Sequence, residues 1–238
     1  MAKTLVEVSY IREVPVHIQV RNSGFYCMLH IASFTFNPFQ ENTYVIHNGS
    51  EAILIDPGCS DPEEQAELAA FIRDNELRPI RLVLTHAHID HILGNAWVYR
   101  NYGLKPELHA ADVPILENGP RVAAMYGLPY DPSPEAGRLI AKGEKIKLGE
   151  DELEVLFVPG HAPGHIALFS KDQSFVIAGD VLFRGSIGRT DLPGGNMETL
   201  LNSIRSELFT LGDDVKVYCG HGPETTIGIE KRSNPFLR

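Results

Sequence analysis

The sequence has 238 residues, of which 43% are hydrophobic and 22% charged, with 21 Lys and Arg against 31 Asp and Glu for a net charge of −10. That length holds one large domain or two small ones and buries a core without disulfide staples. The acidic balance argues against a nucleic-acid coat or a binder of anionic membranes. No apolar run approaches the roughly 18 residues of a membrane span, and Glu7, Arg12 and Glu13 interrupt any signal-peptide core. Cys27, Cys59 and Cys219 form no close pair, so a reduced, cytoplasmic protein is expected.

Residues 1–27 partly alternate apolar and polar through Val6, Val8, Val16, Ile18 and Val20, consistent with one or two strands. Met28 opens a stretch that reads as a domain start. The expectation is an N-terminal extension, 1–27, that folding does not need, and a single domain over 28–238. Strands are predicted over Ile31–Phe36, Asn42–His47 and Glu51–Ile55, with turns at Asn37-Pro38 and Asn48-Gly49. Asp61 and Pro62 start a helix whose Leu68, Phe71 and Ile72 share one face. Ile80–Leu84 reads as a buried strand, Ile92–Tyr102 as a helix ended by Gly103, and Glu107–His109 as a strand. Residues 111–150, with five prolines, read as irregular. Strands return at Leu153–Val158, Ile166–Phe169 and Ser174–Ala178. Asn196 caps a helix with Met197, Leu200, Leu201, Ile204 and Leu208 on one face, Gly212 ends it, and Val215–Cys219 is the last strand. Two sheets packed between outer helices satisfy this order.

Histidine carries the chemical signal. The run Thr85-His86-Ala87-His88-Ile89-Asp90-His91 directly follows an apolar strand. A loop leaving a strand can turn these four donors, His86, His88, Asp90 and His91, toward one point, whereas a regular helix or strand spreads them over different faces. His161 in Pro159-Gly160-His161, Asp180 in Ala178-Gly179-Asp180 and His221 in Gly220-His221-Gly222 also follow strands. Imidazole with carboxylate suits zinc, iron or manganese. Five His and two Asp exceed one ion's needs and fit two ions if a carboxylate bridges. Asp56, ending a strand in Leu54-Ile55-Asp56-Pro57-Gly58, is expected to orient a ligand His through its other ring nitrogen. Arg189 and Asp191 are read as a loop-bracing ion pair, Thr85 as support for the ligand loop, and His165 as structural. His17, His30, His47 and His109 have no ligand context, and neither Cys59 nor Cys219 has a base to make it a nucleophile.

These residues resemble the metallo-β-lactamase superfamily, whose hallmark is H-x-H-x-D-H, over about Ile31 to Pro235. The resemblance implies an α/β fold, the αββα sandwich of two mixed sheets between outer helices, with a two-metal site at one edge. It implies that His86, His88 and His161 hold the first of two divalent ions, zinc or else iron or manganese. Asp90, His91 and His221 would hold the second, and Asp180 would bridge. Within the superfamily, Phe36–Tyr44, Asp180–Phe183, Gly185–Asp191 and Cys219–Thr226 are similar to the glyoxalase II (hydroxyacylglutathione hydrolase) branch. The implied reaction is hydrolysis of an acyl thioester such as S-lactoylglutathione by a metal-bridging hydroxide, with Asp90 also accepting the proton of the attacking water.

Two-domain glyoxalase II enzymes continue past the last ligand into a helical domain that helps bind glutathione; here residues 222–238 follow His221. Substrate contacts are therefore expected from 111–150, with Arg121, Tyr126 and Tyr130 as candidates. The expected partner is a small acyl thioester, with no nucleic acid and no membrane. Persulfide dioxygenases share the His-rich motif and a Gly-Arg-Thr-Asp segment but bind one iron and oxidise glutathione persulfide, so that chemistry stays open. A metal-binding module without catalysis is the third reading.

Overall fold

The computed structural model describes residues 28–238, and the readings of residues 1–27 lie outside the described residues. The chain builds two six-stranded sheets. The first runs β1 (His30–Phe36), β2 (Glu41–His47), β3 (Glu51–Ile55), β4 (Arg78–Val83), β5 (Pro106–His109) and β6 (Arg138–Ile140) in spatial order. Its first three strands pair antiparallel and its last three join β3 in parallel. The second contains β7 (Lys145–Leu148), β8 (Asp151–Phe157), β9 (Ile166–Ser170), β10 (Phe175–Gly179), β13 (Lys216–Cys219) and β14 (Thr225–Thr226). It is ordered β14-β13-β10-β9-β8-β7, with β10 and β13 its one parallel pair. A small hairpin, β11 (Leu182–Phe183) with β12 (Ser186–Ile187), stands apart.

Strand sequences are apolar on both faces because both faces are covered. Successive side chains point to opposite faces. In β3, Ile53 and Ile55 point between the sheets, where they meet Ile166, Leu168 and Ile177, while Ala52 and Leu54 point outward under helices. The outer cover of the first sheet comes from α1 (Pro62–Asp74), α2 (Asn95–Tyr102), α3 (Val113–Glu117) and α4 (Gly119–Tyr126). That of the second sheet comes from α5 (Met197–Ser203), the π-helical turn Ile204–Leu208 that extends it, and α6 (Ile227–Ser233). This is the expected αββα order. Burial of all three apolar layers, at about 25 cal/mol per Å² of apolar surface, supplies the main drive to fold.

The local signals act as expected at α1: Asp61 accepts from the Glu64 amide at 2.9 Å, and Leu68, Phe71 and Ile72 are buried. Asn196 likewise caps α5 through the Thr199 amide at 2.9 Å, although Met197 lies exposed rather than on the buried face. Two expectations need correction. The helix predicted from Ile92 begins at Asn95. Ile89–His91 forms a 3₁₀ turn instead, and the Gly94 amide is held by the Pro57 carbonyl at 2.7 Å, so the ligand loop extends to residue 94. Residues 111–150 are not irregular: they contain α3, α4, β6 and β7. Pro114 and Pro120 lie in the first turns of α3 and α4, where the missing N–H has no helical partner to lose. These prolines start helices rather than break them.

Candidate metal centre

The sequence-predicted donors converge on one edge of the sandwich. The 85–91 loop leaves β4, Asp56 leaves β3, and Asp112 lies beyond β5, three parallel neighbours that end at the same edge. From the second sheet, His161 follows β8, Asp180 follows β10 and His221 follows β13. Backbone bonds stitch the edges together: Asn42 to the Gly220 carbonyl at 2.7 Å, and Ile166 to the Thr85 carbonyl at 2.8 Å. Two approaches there exclude a side chain. A Cβ on Gly220 would fall on Asp180 Oδ1, and one on Gly160, already at φ +131°, would fall on the Leu200 backbone.

Two triads result, each with donor atoms within 4.8 Å of one another: His86, His88 and His161, and Asp90, His91 and His221. Asp180 stands between them. Its Oδ2 is 3.5 Å from both His161 Nε2 and His221 Nε2, and its Oδ1 is 3.5 Å from His91 Nε2. Within the second triad, Asp90 Oδ2 is 3.1 Å from His221 Nε2 and 3.6 Å from His91 Nε2. All seven predicted donors are therefore brought together.

Hydrogen bonds to the far nitrogens fix which ring nitrogen is free. His161 Nδ1 donates to the Arg189 carbonyl at 2.8 Å, and His221 Nδ1 to the carbonyls of Phe39 and Gln40 at 3.1 Å each. His91 Nδ1 donates to Asp56 Oδ2 at 3.1 Å, the orienting contact expected of Asp56. Thr85 Oγ1 spends its proton on Asp56 at 2.5 Å, so it accepts from His86 Nδ1 at 3.1 Å. Four imidazoles thus turn Nε2 toward the cluster. His88 differs, presenting Nδ1 only 2.8 Å from His161 Nε2. Asp56, His86 and His91 also lie close enough to form a third triad. Asp56 already accepts from Thr85 N at 2.7 Å, Thr85 Oγ1 and His91, so its oxygens are engaged in orienting these groups.

The arrangement calls for cations. His86 Nε2, His91 Nε2 and Asp180 Oδ1 are buried without a hydrogen-bond partner, a costly state for polar atoms. No Lys or Arg among the described residues pairs with Asp90 or Asp180. Burial and the neighbouring rings lower His86, and burial with His161 brings His88 down to about 3, so both rings are neutral donors. Burial works to lower His221 too, but Asp180 and Asp90 outweigh it and hold it up at about 10. The two carboxylates demand positive charge. Neutral nitrogens, carboxylates and orphaned lone pairs fit divalent metal ions.

Sequence reasoning missed two supports. Asp112, fully buried, accepts from the Ala87 amide at 2.9 Å and the Gly164 amide at 2.5 Å, tying together the two loops that carry the first triad. Burial pushes its carboxyl up to about 6 against those two donors. Its position after β5, at the same edge as the other ligand loops, was the available signal. Glu41 is wholly buried beside His91, 3.7 Å from Nδ1, and accepts from Thr43 Oγ1 at 2.9 Å. His165 is structural as expected: Nδ1 donates to Ile166 O, and Nε2 accepts from the Asp180 amide, each at 3.0 Å. Arg189 and Asp191 form the expected ion pair, with two contacts of 2.7 Å. Cys59 and Cys219 are buried and free, and burial pushes both thiols up, Cys219 to about 12, which leaves neither a nucleophile.

A cavity of about 860 Å³ opens over the donors. Tyr126 lines it and meets Phe39 edge to face at 5.6 Å. Tyr130 and Arg121, the other candidates from 111–150, do not; Tyr130 instead accepts from the Ser133 amide at 3.0 Å.

Residues 36–221 match the metallo-β-lactamase superfamily. The chain belongs to that superfamily. It is 39% identical over 206 residues to the probable metallo-hydrolase YqgX of Bacillus subtilis (84% of this chain, 93% of the relative). It is 40% identical over 202 residues to the hydroxyacylglutathione hydrolase GloC of Haemophilus influenzae, with the same coverage. Among solved structures, TTHA1623 in a di-iron-bound form superposes with a TM-score of 0.78 at 39% identity, covering 86% of this chain and 99% of that one. ETHE1 from Myxococcus xanthus superposes at 0.66 with 26% identity, covering 82% and 78%. No helix among the described residues of this superfamily member is long and apolar enough to cross a membrane.

Proposed function

We propose that this metallo-hydrolase-like protein cleaves acyl thioesters, of which S-lactoylglutathione is the diagnostic example, at a centre holding two divalent ions. The observation that carries the reading is the Asp180 carboxylate standing between two donor triads at the floor of a cavity. Likeness to GloC supports the thioester, and the di-iron form of TTHA1623 supports two ions and admits iron beside zinc.

Divalent ions, when bound, supply the Lewis acidity that lowers the pKa of water from 15.7 toward roughly 7 and polarises a carbonyl. His86, His88 and His161 would hold one ion, Asp90, His91 and His221 the other, and Asp180 both. The chain's own part is positioning. Asp56, Thr85 and the carbonyls of Phe39, Gln40 and Arg189 lock four ring orientations, those of His91, His86, His221 and His161, before substrate arrives. Asp90 lines the cavity and is placed to accept the proton of the attacking water. Water adds to the acyl carbon, the C–S bond breaks, and that proton passes to the departing sulfur, giving acid and thiol.

A second reading, oxidation of glutathione persulfide by a single iron, draws equal support from the likeness to ETHE1. The deciding experiment quantifies zinc, iron and manganese per chain, then measures S-lactoylglutathione hydrolysis and persulfide-dependent oxygen uptake on the same sample. Near two ions with hydrolysis supports the proposal. One iron with oxygen uptake and no hydrolysis replaces it with the second reading. Full metal content with no oxygen uptake and no turnover of this or any other thioester leaves a non-catalytic metal-binding module.

A further inference from the structure

The walls of the cavity carry information about the substrate that the donor cluster does not. Its lining includes Pro114, Ile115 and Val122 of α3 and α4 together with Phe183, Ile187 and Leu192. Phe39 and Tyr126 extend the apolar wall to the rim, 36% and 53% exposed. Beyond the metal donors, the polar lining is Asn118, Ser186, the Tyr126 hydroxyl and Arg189. Arg189 is the sole Lys or Arg among the described lining residues, and Asp191 accepts from both its Nε and a terminal nitrogen at 2.7 Å. Among the described residues the wall therefore offers no uncommitted cation.

A glutathionyl group carries two carboxylates and an ammonium. Seating it here would strip water from charges that find no partner, which is expensive. An aliphatic group would instead exchange water for the side chains of Ile115, Val122 and Leu192. We infer that the preferred substrate is a thioester whose groups beyond the reacting carbonyl are uncharged and apolar, a short to medium aliphatic acyl chain on a neutral thiol. The inference rests on the thioesterase reading and narrows it: S-lactoylglutathione reports the chemistry without being the best-fitting substrate. Arg189, held by Asp191, closes the rim as a neutral pair rather than recruiting an anion.

The test uses the metal-loaded full chain and N-acetylcysteamine thioesters from acetyl to hexanoyl, with the matching glutathione thioesters. Half-buried methylenes are worth about two-fold each, so kcat/KM should rise about fifteen-fold over the four methylenes from acetyl to hexanoyl. For a given acyl group the neutral carrier should equal or exceed glutathione. Val122→Asp, or Val122→Thr where the charge prevents folding, should flatten the chain-length dependence. A flat or falling series, an unaltered slope in the variant, or a clear advantage for the glutathione carrier overturns the inference while leaving thioester hydrolysis standing. If no thioester turns over at full metal content, the thioesterase reading fails. Calorimetric titration with the uncleavable S-hexyl and S-methyl thioethers of N-acetylcysteamine then decides the wall chemistry. Tighter binding of the hexyl compound by about thirty-fold, two-fold for each of five methylenes, sustains the apolar selectivity, and equal binding ends it.

Discussion

Removing the Asp112 carboxylate should loosen the first triad without touching a metal donor. In Asp112→Ala, the amides of Ala87 and Gly164 lose their acceptor at a place water does not reach. A buried donor left unpaired costs about 1–3 kcal/mol. Two of them amount to about 2–6 kcal/mol, part of which is recovered because a buried carboxylate is itself unfavourable there, as its raised pKa of about 6 shows. A net loss of about 3 kcal/mol lowers the Tm of a chain this size by roughly 10 °C. Ala87 sits between His86 and His88, and Gly164 belongs to the loop that carries His161, so the same change lets the two halves of that triad drift apart. Affinity for one ion should fall by about 10–100-fold, the effect typical of orienting partners, while the triad of Asp90, His91 and His221 keeps its ion. Thermal denaturation of the metal-free protein, followed by metal analysis after dialysis against a weak chelator, reads both effects. Asp112→Asn, which keeps one acceptor and turns an NH₂ toward the other donor, should fall between wild type and Ala. A Tm within about 2 °C of wild type together with unchanged metal content would refute the clamp.

Three further outcomes follow from the same contacts. Asp56→Ala removes the acceptor of His91 Nδ1 and of Thr85, and should weaken binding of the second ion by about ten-fold or more; equal metal affinity in a competition titration would show that His91 needs no such partner. Asp90→Asn should lower thioester turnover by about a hundred-fold or more, and full activity at full metal content would exclude any essential role for its charge. His47 is stacked on His30 at 5.1 Å, and burial followed by that neighbour lowers its pKa to about 4. Because its folded pKa lies below the unfolded value, the unfolded chain binds more protons between about pH 6.5 and pH 4, and stability contributed by neutral His47 is lost as pH falls through that window. The Tm of the metal-free protein should therefore drop less steeply over this range in His47→Gln, and parallel curves for the two proteins would contradict the assignment.

Much of the element order and the seven candidate donors were legible in the sequence because each rests on a local signal. Asp61-Pro62 starts α1 by capping, β3 and β10 read as apolar runs because helices cover their outer faces, and His86, His88, Asp90 and His91 crowd one loop. Short spacing is visible along a chain. The helices hidden in 111–150 were not, because the prolines that look like breakers act in the first helical turn. Nor was the true start of α2, which is set by the distant Pro57 carbonyl holding Gly94. Neither Asp112 nor Glu41 carries a local signal of burial; only tertiary packing buries them and gives one of them two amides from loops far apart in sequence. The tautomers of the histidines were likewise decided by carbonyls and a carboxylate brought from other loops. Residue type and spacing therefore determined which atoms could bind a cation, whereas long-range contacts decided which nitrogen each ring presents and how apolar a wall surrounds it.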